Sequence, residues 1–135
     1  MSLAEFREDS TRWAEGSPIH INEMTFFVRR WGTPESQEKL RDIRKRLFGP
    51  FHKMQDADDD IVMGEWLTEY GVTGWEGVIE ESGKELKFTK KNARGVFCNP
   101  EFFYSLNRLI YAAAANFENY LYQEAEEDAE ELKKP

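Results

Sequence analysis

The run Val72-Thr73-Gly74-Trp75-Glu76-Gly77-Val78-Ile79-Glu80-Glu81-Ser82-Gly83-Lys84-Glu85-Leu86-Lys87-Phe88 decides how this chain is organised. Two short alternating stretches flank Ser82-Gly83, and that arrangement predicts a β-hairpin. Trp75 and Val78 are then expected to pin the first strand to the helices, while Leu86 and Phe88 return to the core. Gly74 and Gly77 allow a close approach or a bulge. Thr89 caps a short helix through Ala93 and Val96, and Asn99-Pro100 reads as a second cap followed by a first helical proline.

Downstream, Phe102, Leu106, Leu109, Ile110, Ala113, Phe117 and Leu121 recur at helical spacing and predict a long C-terminal helix with this stripe in the core. Phe103, Tyr104, Tyr111, Tyr120 and Tyr122 lie off the stripe. A helix that is apolar on more than one side needs a second cover. The rest of the domain, a second copy or a client protein would each serve.

Upstream, the acidic run Asp56 to Asp60 suits the positive end of a helix that carries Val62, Trp66 and Tyr70 and stops at Gly71. Thr33 and Pro34 open another helix, which runs to about Phe48 and closes at Gly49-Pro50. Its inner stripe is Leu40, Ile43, Leu47 and Phe48. Residues 20 to 31 read as one strand with Met24, Phe26 and Val28 on one face. The expected fold is therefore mainly α (α+β): a small helical domain with a short β-hairpin and a long C-terminal helix. Residues 1–18 form a loosely ordered N-terminal arm, 19–122 a single globular domain and 123–135 an acidic tail.

The 135 residues include 18 basic and 26 acidic side chains, for a net charge of −8. That balance argues against a general nucleic-acid partner, which calls for a positive footprint. No apolar run approaches the roughly 20 residues of a membrane span, and no apolar stretch follows a basic start, so no membrane and no secretory signal are expected. Cys98 is the one cysteine, which rules out an internal disulfide and suits a reducing compartment.

Catalysis needs converging titratable groups, and none are legible. His20 and His52 have no metal-ligand spacing with Cys98. Counted as a calcium loop from Asp56, the glycine and glutamate positions hold Ile61 and Leu67. Phosphate-binding glycine loops are missing too. The chain is expected not to be an enzyme and to use no cofactor or metal. The candidate partner-binding residues fall in two sets. Arg41, Arg44 and Lys45 form either a solvated helix face or a docking face for an acidic partner, including the acidic tail of a neighbouring copy in a homo-oligomer. Phe103, Tyr111 and Tyr120, with Trp66 and Tyr70, are the expected apolar cover for a client.

The Val72–Val78 stretch, the following Glu81-Ser82-Gly83-Lys84-Glu85-Leu86-Lys87-Phe88-Thr89, and Asn92-Ala93 together resemble a pattern in tail assembly chaperones of long-tailed (lambda-like, siphovirus) bacteriophages. The likeness extends to Phe27-Val28-Arg29-Arg30 upstream and to Asn116-Phe117 in the closing helix, covering about residues 26 to 122. It implies a protein of the host bacterial cytoplasm that covers the helical tape measure protein, recruits tail-tube protein and is absent from the mature virion. The matching residues hold a fold together, so they speak to fold more than to function. The alternative they leave open is a structural minor tail component, a connector or completion protein retained in the virion.

Overall fold

The computed structural model describes residues 2–122. Three antiparallel strands, β1 (Ser17–Ile21), β2 (Met24–Val28) and β3 (Val72–Glu76), form one sheet in the order β1-β2-β3. Around it lie α1 (Ser10–Glu15), α2 (Pro34–Phe48), α3 (Asp56–Trp66), α4 (Lys90–Phe97) and α5 (Leu106–Ala115). The expected fold, a helical domain with one short hairpin and a long C-terminal helix, is corrected at three points.

First, residues 20 to 31 are not a single strand. Asn22, at φ 54, turns the chain so that β1 and β2 pair from Ile21↔Met24 to Ser17↔Val28. Asparagine enters the left-handed region more readily than most residues. Pro18 sits in β1, at the sheet edge, where a missing N–H costs the ladder least.

Second, β3 pairs with β2 and not with residues 84–88. Phe26 and Val28 offer it an apolar strand to lie against, whereas Glu80, Glu81, Lys84 and Glu85 have nothing to bury. Between Gly77 and Phe88 only Ile79↔Glu85 pair, as an isolated bridge. The β2–β3 register slips between Phe27 and Val28, which face Gly74 and Val72. Thr73 is the extra residue, and this bulge lets both Val72 and Trp75 enter the core. Trp75 packs on Phe97 of α4 at 5.9 Å, and its indole N–H donates to the Leu86 carbonyl at 2.7 Å, so it fastens the returning loop as well.

Third, no long C-terminal helix exists among the described residues. The longest described helix is α2, with 15 residues; α5 has ten. Asn99-Pro100 opens only a 3-10 turn, Pro100–Phe102, and Ser105 (φ −120°, ψ −91°) separates it from α5. At the far end, the Asn116 side chain accepts from the Glu118 N–H at 3.1 Å, and the Asn119 amide donates to the Ala113 carbonyl at 2.9 Å. Such side chains give the backbone partners other than helical ones, and the helix stops. The expected acidic tail, 123–135, lies outside the described residues.

The segment expected to be a loosely held arm makes specific contacts. Glu8 bridges to Leu121, and the Asp9 N–H donates to the Tyr120 carbonyl at 2.7 Å. The Glu8 carboxylate also accepts from Arg30 at 2.7 Å and from the Trp13 indole at 3.1 Å.

Helix α3 is the central element. Gly64 lets it touch α4 directly: a Cβ there would stand 2.5 Å from the Phe97 carbonyl oxygen. A single π-helical turn, Leu67–Gly71, carries α3 straight into β3. Lys90 satisfies the carbonyls of Thr68 and Glu69 in this turn, both at 3.1 Å.

Candidate functional site

The aromatic residues expected to form a client surface do not all share one; of the five, Phe103 and Tyr111 line a common cleft. Trp66 is fully buried, and its indole N–H donates to the Ser36 carbonyl at 3.2 Å. Tyr120 is also fully buried; its hydroxyl donates to the Val28 carbonyl at 2.8 Å, and burial pushes its phenol pKa up. Tyr70 is half-buried between Trp66, at 5.7 Å between centroids, and the Arg29 guanidinium, 4.5 Å over its ring. Tyr111 packs edge-on against Trp31 at 4.8 Å, and Trp31 packs on Trp66 at 4.8 Å. The second cover that the off-stripe aromatics need is thus largely internal. Trp31, from the loop after β2, closes a ladder of four rings. Phe103, half-buried, lies outside the ladder and lines a small cleft with Asp59, Asp60 and Met63 that Tyr111 also borders.

The basic set, Arg41, Arg44 and Lys45, is exposed. Arg44 reaches Asp59 at 4.0 Å, and Arg41 and Lys45 form no ion pair among the described residues. On another side of α2 the charges are paired. Arg46 bonds Glu69 at 2.7 Å and Glu65 at 3.4 Å, Arg94 bonds Glu65 at 2.9 Å, and Lys39 stands 3.5 Å from Glu69. Burial raises the Glu65 pKa, but the hydrogen bond and charge of Arg94 outweigh it and hold the carboxyl below its ordinary range.

Cys98 lies beside this cluster, half-buried, 3.6 Å from a Glu65 oxygen. Burial pushes its thiol pKa up, opposite to what a nucleophile needs. His52 stacks on Phe48 and contacts Asp58 at 2.8 Å; this hydrogen bond, with the Gln55 N–H, lowers the Asp58 pKa. That is capping geometry at the start of α3. Among the described residues no three His, Cys, Asp or Glu side chains are grouped to hold a metal, and no helix is long and apolar enough to cross a membrane.

An apolar surface groove is lined in part by residues that the sequence assigned to the core, among them Leu86, Phe102, Leu106 and Leu109. The groove, of about 530 Å³, runs between two walls. One wall holds Ile21 and Met24, from either side of the β1–β2 turn, with Val78, Ile79 and Leu86. The other holds Val96 of α4, Phe102, and Leu106 and Leu109 of α5. Leu109 is 56% exposed, Ile79 60% and Phe102 36%. The stripe expected to be internal is therefore split. Of its residues, Ile110 faces inward, beside the off-stripe Asn107 and Ala114, while Phe102, Leu106 and Leu109 line the groove. The legible signal was a helix apolar on two sides, one carrying the aromatic residues and the other Leu106 and Leu109.

The family model described as YdaY prophage protein matches residues 33–131, from the start of α2 into the acidic tail. The chain belongs to that family and is a phage-derived protein. No match was found among curated proteins or among solved structures. Ile21, Asn22 and Met24 precede the matched span, and every other groove residue lies within it.

Proposed function

We propose that this prophage protein is a non-enzymatic tail assembly chaperone. It acts in the host bacterial cytoplasm, covers apolar helices of the tape measure protein, brings tail-tube protein to them and leaves before the virion is complete. The observation that carries the reading is the open apolar groove on an acidic domain. Leu109, Ile79 and Phe102 are large, exposed and contiguous, which is uncommon on a surface that binds nothing. A groove lined by side chains suits an amphipathic helix, and several copies along one client would add avidity. The net charge of −8 keeps such a complex soluble.

The test is co-expression with the tape measure protein of the same prophage. The parent protein is expected to keep that client soluble. The Leu109→Asp/Ile79→Asp double variant should stay folded and lose the activity. If the parent never retains the client, the chaperone reading fails. Recovery of the protein in purified virions would then support a retained tail component.

Self-association belongs to the same proposal. The exposed Arg41, Arg44 and Lys45 face carries the opposite sign to the acidic tail, so copies pair tail to helix. Light scattering should find an oligomer at low salt that dissociates at high salt or when residues 123–135 are removed. A monomer under all these conditions refutes this part.

A further inference from the structure

We infer that the groove selects a basic amphipathic helix, with apolar residues at i, i+3, i+4 and i+7 flanked by lysine or arginine. The inference rests on the reading of the groove as a docking site and adds the chemistry of its occupant.

The backbone of the walls argues for a helix over a strand. An added strand needs a row of free N–H and C=O groups. Here one wall is helical, with the Leu109 N–H already bonded to the Ser105 carbonyl. The opposite loop bonds to itself: Glu80 N–H to the Lys84 carbonyl, Gly83 N–H to the Glu80 carbonyl, and Leu86 N–H to the Val78 carbonyl. What the groove offers a partner is side chains, and these suit the apolar stripe of a helix.

Charge then narrows the partner. Among the described residues, Glu80 and Glu81 are the only charged ones lining the groove. Both are exposed, and neither forms an ion pair among the described residues; the one side-chain bond on either is a 3.3 Å contact from the Ser82 hydroxyl to Glu80. A helix with acidic flanks meets like charge there, and one with lysine or arginine flanks meets two carboxylates. The protein's negative field acts in the same direction at longer range.

The experiment uses the full chain and three labelled synthetic peptides of about five helical turns. Two share one leucine stripe, with lysine flanks in the first and glutamate flanks in the second. The third keeps the lysines and scrambles the stripe. Fluorescence anisotropy at low salt should show the lysine-flanked stripe binding at least about tenfold tighter than either of the others, with the gap narrowing at high salt. Glu80→Lys with Glu81→Lys should reverse the preference, and Leu109→Asp should abolish binding of both stripe peptides. Equal binding of the two stripe peptides, with loss in Leu109→Asp, overturns the charge selection and leaves the groove as a docking site. Equal binding of the scrambled lysine peptide overturns the helix assignment. No binding of either stripe peptide overturns the inference outright, while client retention in co-expression tests the chaperone reading separately.

Discussion

Where α2, α3 and α4 meet, the charged side chains are matched: Arg46 and Arg94 share Glu65 and Glu69, and Lys39 balances the second oxygen of Glu69. Beside α5 the opposite holds. Leucine, isoleucine and phenylalanine face water, and two glutamates line the rim without ion pairs among the described residues. Beneath the first region lie the buried Trp66 and the Gly64–Phe97 contact; beneath the second lies a groove of about 530 Å³. One surface is finished within the chain. The other has the composition of an interior and no cover among the described residues. Substitutions on the finished side should therefore register in stability, and those on the open side in binding.

The largest effect is expected at the centre of the finished side. Trp66→Ala removes a fully buried indole, its bond to the Ser36 carbonyl and its contact with Trp31. The loss should be about 3–5 kcal/mol by urea denaturation. A loss below about 1 kcal/mol would mean that the ring ladder does not anchor the core, and that Trp66 is available to a partner after all.

Asn107 comes next. It is buried at the junction of α4 and α5, and its amide donates to the Phe97 carbonyl at 2.8 Å. Asn107→Ala leaves that carbonyl without this donor, at a cost of about 1–3 kcal/mol. The Asn107 carbonyl oxygen accepts no hydrogen bond among the described residues, so truncation removes only one satisfied contact and the lower half of the range is expected. An unchanged urea midpoint would show that water replaces the amide.

Glu65 gives a smaller effect with a definite sign. Its folded-state pKa lies below the ordinary 4.5, because the Arg94 hydrogen bond and charge overcome the opposing effect of burial. A carboxyl depressed in the folded state stabilises above its unfolded pKa and loses that contribution as pH falls through the folded value. The parent should therefore lose melting temperature as pH drops below about 4.5. Glu65→Gln should flatten that fall and cost about 1 kcal/mol or less at neutral pH, since Arg94 is half exposed. Parallel pH curves for the two proteins would mean that the pair contributes nothing.

What could be read from the sequence follows this division. Thr33-Pro34 and the acidic run before Ile61 open helices where expected, because a cap is local chemistry and does not depend on what packs above it. Trp75 was legible as a side chain that holds its strand to a helix, and it packs on Phe97 of α4; its bond to the Leu86 carbonyl was not legible. The pairing of β3 was not legible. Val72–Glu76 has the composition of a strand, and only the three-dimensional proximity of Phe26 and Val28 decides that β2 is its neighbour. The end of α5 was missed because periodicity passes through Asn116 and Asn119 unchanged, while their side chains take up the backbone groups that a longer helix would use. For the site, sequence implied a second apolar side on the closing helix but could not tell which side the fold consumes. Trp31, far away in the chain, covers Tyr111 and leaves Leu109 in water.

The smallest stability effect is expected at Leu109, and it tests the comparison most directly. Leu109 and Ile110 are consecutive on α5 and point about 100° apart around it. Ile110 is fully buried, whereas Leu109 is 56% exposed and gives up little burial when replaced. Leu109→Asp lowers helix propensity by a few tenths of a kcal/mol. Position 109 lies near the N-terminal end of α5, where a negative side chain recovers a similar amount from the helix dipole. The net change should fall within about 0.5 kcal/mol, as for other surface positions, while Ile110→Ala costs about 2–5 kcal/mol. A Leu109→Asp loss above about 1.5 kcal/mol, well outside that surface range, would mean that the groove is covered in solution. Repeating the measurement across protein concentration then identifies the cover: a loss that grows with concentration points to a second copy, and a constant loss to this chain's own residues. A change near zero, together with loss of the client, leaves the groove free in the isolated protein and occupied in the complex.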